Sequence, residues 1–360
     1  MSRLASRFGF HRVLSPLRAS VQAAQRVNNT AAVLHPTESL IRVDKLVLDS
    51  TSARYLQETS RDYKMAAEKV MEIVSTRGKM HNPHTDSGGV MLGTVSEHVG
   101  NESSLTPGDR VVPLASLTCI PLELNEVFSM HGEVLNVQGT GVMFGSSPVA
   151  VVPDDIEDAV AVLSLDISSL VPQVERIMTI QQQLGTPVRS VYVQGCGKSG
   201  LAAMSTIRRM EMSGVLKSKS IILASDVHSK ALTTAAISHY ADVTAHIDSQ
   251  DSLATLQMLS SNQFGDGVDL VLATHNQADC ETSAVLAARE RGNVIFFSMA
   301  TVFSQANLGT DIAGKDVNCH FGVGLASQQD AAMFRLLRED QILHDHFRTL
   351  ASHLRACLET

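Results

Sequence analysis

The segment Gly195-Cys-Gly-Lys-Ser-Gly200 constrains this 360-residue chain more than any other stretch. A short apolar run, 190–194, precedes it, and a helix-patterned stretch, 201–212, follows. Strand, glycine turn and helix form the context in which a GxGxxG spacing acquires meaning. Gly195 permits the tight turn, Gly197 leaves bare backbone for a diphosphate, and Gly200 lets the helix approach the strand. The helix opens with Lys198 and Ser199, whose end presents free N–H groups to that anion. A triphosphate P-loop would require glycine five positions before Gly197, where Tyr192 stands, so that rival fails. The spacing points to a dinucleotide.

The surrounding pattern agrees. From about residue 155, helices at 156–165 and 170–184 lead into alternating elements. Strands are expected at 190–194, 220–224, 242–247, 268–274 and 294–298, with helices at 201–212, 229–239, 251–261 and 279–289 between them. A sixth strand is expected at 317–322 and closing helices over 328–358. Short apolar strands separated by helices predict an α/β, doubly wound parallel sheet of the Rossmann type over residues 155–360. The second strand runs into Asp226, 26 residues beyond Gly200, close to the spacing of a carboxylate that binds the adenosine ribose. Such a carboxylate repels a 2′-phosphate and favours NAD over NADP; the alternative role is a cap or turn for the helix from Ser229. Thr274, His275, Ser298 and Thr301 sit at the ends of the fourth and fifth strands, where ligands of such sheets lie. The charge of Lys198 either assists the phosphates or is solvated.

Residues 31–154 read differently. Beyond one helix-patterned stretch, 56–71, short β-type runs at 90–95, 110–117, 134–137, 141–144 and 149–152 are separated by glycine and proline. This is a small all-β unit. Residues 1–30 contain five arginines (Arg3, Arg7, Arg12, Arg18, Arg26) and no carboxylate. Phe10, Val13, Leu14, Leu17 and Val21 recur at helical spacing, so an amphipathic cationic helix is expected. That is the profile of a mitochondrial transit peptide, cleaved near residues 20–35 and addressing the chain to the matrix. Without import the chain would be cytoplasmic.

Net charge is −8 with no tryptophan and 4% aromatics, which argues against nucleic-acid binding. Five cysteines without a CxxC pair indicate a reducing compartment and exclude the common zinc cages. No apolar run approaches the 18 residues of a membrane span. The low charged fraction, 18%, suits a homo-oligomer that buries neutral surface.

The loop 77–93, Arg-Gly-Lys-Met-His-Asn-Pro-His-Thr-Asp-Ser-Gly-Gly-Val-Met-Leu-Gly, holds two histidines and a carboxylate at positions 81, 84 and 86. They could form a two-His, one-carboxylate metal site, but histidines flanking a proline are commonly solvated or capping, and no metal is expected. This loop, Pro107-Gly-Asp-Arg-Val111, Ser116-Leu-Thr118, Gly195-Cys-Gly-Lys-Ser-Gly200, Phe296-Phe-Ser-Met-Ala-Thr301 and Gly314-Lys-Asp-Val317 occur in that order. Together they resemble the L-erythro-3,5-diaminohexanoate dehydrogenase family over about residues 38–345. Within the wider medium-chain dehydrogenases and reductases, the N-terminal part is similar to the small, partly open GroES-like β-barrel. Gly88, Gly89 and Val90 stand where zinc-dependent members carry Gly-His-Glu. His84 and Asp86 depart from the small or apolar residues expected of the family.

The resemblance implies NAD-dependent oxidative deamination of a small diamino acid at C3, giving 5-amino-3-oxohexanoate and ammonia in lysine degradation. It places the loop 79–87 against the nicotinamide. Lys79 is then a carboxylate anchor or proton shuttle, Asn82, Thr85 and Ser87 are polar contacts, and Asp86 meets the C5 ammonium. Against these roles, Lys79 reads equally as a surface charge and Asn82 and Ser87 as turn residues. Lys315 and Asp316 are either a further wall of the site or a solvated pair. Two other functions fit the architecture: a zinc-free quinone or enoyl reductase, and a dinucleotide-binding regulator without catalysis.

Overall fold

The computed structural model describes residues 3–100, 104–232, 234–298, 300–322 and 324–358. They form two compact units, one running to Leu163 and taking in the chain from Leu350, the other Ser164–Thr349. No helix among the described residues is long and apolar enough to cross a membrane.

In the first unit, β1 (Val13–Ser15) and β2 (Arg26–Val27) pair as a short ribbon. Strands β3 (Ser39–Leu48), β4 (Gly89–Val95), β5 (Arg110–Pro113), β6 (Leu122–His131), β7 (Val134–Met143) and β8 (Val149–Val151) form an antiparallel sheet in the order β6-β7-β3-β4-β5-β8. It closes on a core that includes Ile41, Leu46, Met91, Val111 and Leu135. Two strands of this sheet, β3 and β6, have no counterpart in the sequence pattern. The register of β3 shifts between Val43 and Lys45, and that of β6 shifts at 124–126 and 127–129. Each shift moves the apolar set to the other face and erases the period-2 signal. The runs at 134–137 and 141–144 are one strand, β7, passing close to its neighbour at Gly139, where a Cβ would stand 2.4 Å from the Glu123 carbonyl oxygen. The expected helix at 56–71 is two, Ser50–Thr59 and Tyr63–Arg77, and Asp62 caps the second by accepting from the Met65 N–H at 2.9 Å.

The first thirty residues require a correction. They do not form an amphipathic helix. A short helix, Arg3–Arg7, is followed by a 3₁₀ turn, Phe10–Arg12, and then β1 and β2. Val13, Val21, Ala24 and Val27 pack with Leu40, Val142 and Phe144 in a core of their own. Arg12 is fully buried. Its guanidinium donates to both carboxylate oxygens of Glu38 at 2.6 and 2.8 Å, and to the carbonyls of Asn28, Thr30 and Ala32. Those five bonds use every N–H that an arginine has. The cationic segment is part of the folded unit, and cleavage at 20–35 would strand Glu38 without its counter-ion.

In the second unit, β9 (Ser190–Gln194), β10 (Ile221–Asp226), β11 (Val243–His246), β12 (Val268–Ala273), β13 (Ala288–Phe296) and β14 (Asn318–Phe321) are all parallel. Their order is β11-β10-β9-β12-β13-β14, the doubly wound sheet expected. Every residue of β9 and β12 is buried, as strands covered on both faces must be, which is why they read as unbroken apolar runs. The order reverses between β9 and β12, and the crevice beyond their C-terminal ends is where such sheets bind ligands.

Candidate active site

The glycine turn leaves β9 at that reversal. Gly195 has φ 99°, and a Cβ on it would lie 2.8 Å from His275 Cδ2. At Gly200 a Cβ would meet the Gly195 carbonyl oxygen at 2.0 Å, so only glycine lets the helix Lys198–Met212 sit there. Gly197 is different, because nothing lies within 4 Å of where its Cβ would be. The space over its backbone is open, beside the first-turn N–H groups that have no intrahelical acceptor. Thr274 pins the turn from below, its hydroxyl donating to the carbonyls of Gln194 and Gly195 at 2.9 Å each. Lys198 is ion-paired with Asp166 rather than solvated, and Ser199 is half-buried beside it.

Asp226 ends β10 against this turn and is buried. Its two oxygens accept from the N–H groups of Cys196 and His228, each at 2.8 Å. Burial pushes its pKa up, but the His275 ring and these two N–H donors outweigh that and bring it down to about 2. The His228 bond is the local turn that the sequence also allowed. The Cys196 bond ties the carboxylate to the glycine turn itself. His275 is held by Ser249 at 2.8 Å through Nδ1, while Nε2 stands 3.6 Å from Asp226 and is buried without a hydrogen-bond partner among the described residues. Ser298, at the end of β13, accepts from the Ala300 N–H at 3.0 Å, and Thr301 follows, half-buried. A dinucleotide fits this arrangement: a bare backbone for the diphosphate, an ionised carboxylate one strand away, and an orphaned ring nitrogen between them.

Lys315 and Asp316 do not belong to this crevice. They precede β14 and so lie at the opposite end of the sheet, where Lys315 donates to the carbonyls of Leu286 and Ala288. A cavity of about 530 Å³ bordered by Arg189, Ser190, Asp269 and Arg289 also lies at that N-terminal end.

In the first unit, the loop 79–90 is organised around buried polar groups. Lys79 is fully buried and donates to the carbonyls of Val21, Gln22 and Thr118 at 2.6, 2.6 and 3.0 Å. Burial and the Arg77 charge pull its pKa down to about 8. All three ammonium protons are taken by backbone, so Lys79 is neither a surface charge nor a free anchor; it ties the N-terminal segment to the loop. Asn82 is fully buried, its Oδ1 accepts from the His84 N–H at 3.0 Å, and its Nδ2 has no partner among the described residues. His81 Nε2 lies 2.5 Å from Asp86 Oδ1. Burial holds the His81 pKa below its usual value even beside that carboxylate. Asp86 adopts φ 53°, and its side chain is 86% exposed. His84 stacks on Tyr55 at 4.6 Å instead of joining His81.

Thr85 and Ser87 meet two residues that no sequence signal marked. Ser52 Oγ lies 2.9 Å from both Thr85 Oγ1 and Ser87 Oγ, which are 2.8 Å from each other. Ser87 donates to Asp49 Oδ1 at 3.0 Å, and the Ser52 N–H reaches the same oxygen at 2.9 Å. The double glycine that follows lets the loop turn away: at Gly89, with φ 120°, a Cβ would lie 2.2 Å from the Val47 carbonyl oxygen.

Comparison with known proteins accords with both regions. Residues 11–153 match the sequence model of the L-erythro-3,5-diaminohexanoate dehydrogenase N-terminal domain. The L-erythro-3,5-diaminohexanoate dehydrogenase of Fusobacterium nucleatum is 31% identical over 96% of this chain and 98% of its own length. That of Acetoanaerobium sticklandii is 28% identical over the same shares. Among solved structures, a mycobacterial protein in complex with NADPH superposes with a TM-score of 0.50 at 18% identity, covering 92% of this chain and 90% of that one, a likeness of fold. The antiparallel sheet of the first unit and the doubly wound parallel sheet of the second are the elements of that shared fold, and across 96% of its length the chain belongs to the L-erythro-3,5-diaminohexanoate dehydrogenase family.

Proposed function

We propose that this protein oxidises the C3 amine of L-erythro-3,5-diaminohexanoate with NAD, yielding 5-amino-3-oxohexanoate and ammonia in the breakdown of lysine. The observation that carries the reading is the open backbone at Gly197 with Asp226 bonded to the same turn, in a chain matched over 96% of its length by relatives of that name. Gly195, Gly197, Gly200 and the first turn at Lys198 and Ser199 hold the diphosphate. Asp226 accepts from the ribose hydroxyls, and its charge disfavours a 2′-phosphate, so NAD is preferred to NADP. Thr274, His275, Ser298 and Thr301 border the rest of the dinucleotide, which when bound supplies the hydride acceptor.

The loop of the first unit handles the diamino acid. Asn82 offers a buried, unshared N–H donor, and the exposed Asp86 carboxylate suits the C5 ammonium. Thr85 and Ser87, half-buried in the same loop, are polar contacts for the substrate. Lys79 acts at one remove, by fixing the loop. β14 is an edge strand on which Phe321 packs with the exposed Phe303 at 4.6 Å, which supports a homo-oligomer. Arg12, Val13, Val21, Ala24 and Val27 are built into the folded unit, which does not support a cleaved mitochondrial leader.

The test is absorbance at 340 nm with purified protein, NAD and the diamino acid, together with ammonia release. One ammonia per NADH is expected. Oxidation of NADPH by a quinone or enoyl thioester, with no reaction of the diamino acid, would assign a reductase. Tight NADH binding without turnover of either would assign a regulator.

A further inference from the structure

The cavity of about 530 Å³ at the N-terminal ends of β9, β12 and β13 lies wholly within the second unit, at the end of the sheet away from the glycine turn. Its volume falls among those of small-molecule pockets, about 300–1,000 Å³. The strands explain how charge comes to line it. Ala288 pairs with Val268 and Asn293 with Leu270, so residues 289–292 of β13 loop out opposite Asp269 alone. The loop-out carries Arg289 over Asp269, with Nε 2.6 Å from Oδ1. The other oxygen, Oδ2, accepts from the N–H groups of Arg189 and Ser190 at 2.6 and 2.9 Å and from the Ser190 hydroxyl at 3.0 Å. Asp269 is thereby fully engaged, and it holds Arg289 by the Nε alone. The Arg289 Nη groups have no acceptor among the described residues, and neither has the guanidinium of Arg189. On the facing side, the turn after the helix Ser252–Ser261 passes close to β13: at Gly267, with φ 92°, a Cβ would stand 2.7 Å from the Ala287 carbonyl oxygen. That turn brings Asp266 to the cavity, exposed and without an ion pair among the described residues, together with the half-buried ring of Phe264.

Two guanidinium groups and one carboxylate therefore border one space without neutralising one another. A simple anion would meet the Asp266 charge there, and a simple cation would meet two arginines. A ligand that carries both signs answers all three. We propose that this cavity is a second binding site, for a small dipolar ion of the amino-acid class. Its carboxylate lies on the Arg289 Nη pair and Arg189, its ammonium on Asp266, and its methylene chain on Phe264. Arg289 is the preorganised part: Asp269 fixes the guanidinium through Nε and leaves the two parallel Nη donors for a bidentate carboxylate. The five residues of β9, rising about 3.3 Å each, put the cavity end of that strand about 13 Å from the glycine turn. The site is thus separate from the dinucleotide's diphosphate, and nothing in it depends on the reaction proposed above.

Saturation-transfer NMR titrations of the full-length protein test this, with 4-aminobutanoate and 6-aminohexanoate as dipolar probes. Acetate, inorganic phosphate and methylammonium serve as controls of one sign. At least one dipolar probe should bind with a Kd of about 1 mM, and every control at least about tenfold more weakly. Arg189→Ala and Asp266→Asn alter exposed side chains that have no partner, so Tm and NADH affinity should stay near wild type. Each should nonetheless weaken the dipolar probe at least about tenfold. A control that binds as tightly as the dipolar probes would overturn the proposal. So would probe binding that survives both substitutions, which would place it elsewhere in the molecule, and so would no binding of either dipolar probe. Turnover of the diamino acid enters none of these readouts, so a failure here leaves the deamination reading intact, and the reverse holds.

Discussion

Arg12 and Glu38 lie 26 positions apart and are fully desolvated together, with the Leu34 N–H and His11 completing the carboxylate's shell. Burial raises the Glu38 pKa, but the bonds from Arg12, Leu34 and His11 hold it below its ordinary value. A carboxyl whose folded pKa is lowered contributes stability above its unfolded pKa, about 4.3, and loses it as pH falls through the folded value. Arg12→Ala should destabilise the protein by about 3–5 kcal/mol at pH 7. In that variant the sign reverses: the uncompensated carboxyl gains by protonation, so urea titrations should show a smaller deficit at pH 5 than at pH 7. Lys79→Met leaves three carbonyls without donors and should cost about 3 kcal/mol or more, while NADH affinity is retained. At the glycine turn two residues separate folding from binding. Gly200→Ala must displace the Gly195 carbonyl and should lower Tm. The Cβ of Gly197→Ala has no protein atom within 4 Å beyond its chain neighbours, so its Tm should be near wild type while NADH affinity, read by fluorescence titration, falls at least about tenfold. Asp226→Ala should weaken NAD binding and narrow the preference over NADP; an unchanged ratio of the two Kd values would place the ribose elsewhere.

Among the elements, the parallel strands were legible because burial on both faces leaves apolar runs, and because the glycine turn orients β9 and its helix without ambiguity. The barrel strands with register shifts were not, since a bulge erases the alternation from which a strand is read. The same limit governs the sites. Gly195, Gly197, Gly200 and Asp226 follow from backbone geometry that a motif encodes. Ser52 and Asp49 reach the loop from 33 and 38 positions away and belong to no motif. The burial of Lys79 is not legible in the sequence because its partners are backbone carbonyls, which leave no trace in side-chain types. The N-terminal segment is illegible for a related reason: a count of arginines reports charge, whereas Arg12 is defined by Glu38 across the fold. Deleting residues 1–30 should therefore yield an insoluble or molten first unit; cooperative unfolding with a wild-type Tm would restore the leader assignment.

At the scale of the whole molecule, one unit offers a turn suited to a dinucleotide and the other a polar loop suited to an amine, in a chain aligned over 96% of its length with dehydrogenases of a diamino acid. In the proposed reaction the C3 hydrogen of the substrate passes to the dinucleotide. Substrate deuterated at C3, incubated with NAD and the full-length protein, tests that transfer most directly. The account predicts NADH carrying one deuterium and heavier by one mass unit, with a primary isotope effect or an unchanged rate according to which step limits turnover. Unlabelled NADH, or no reduced cofactor at all, would contradict it.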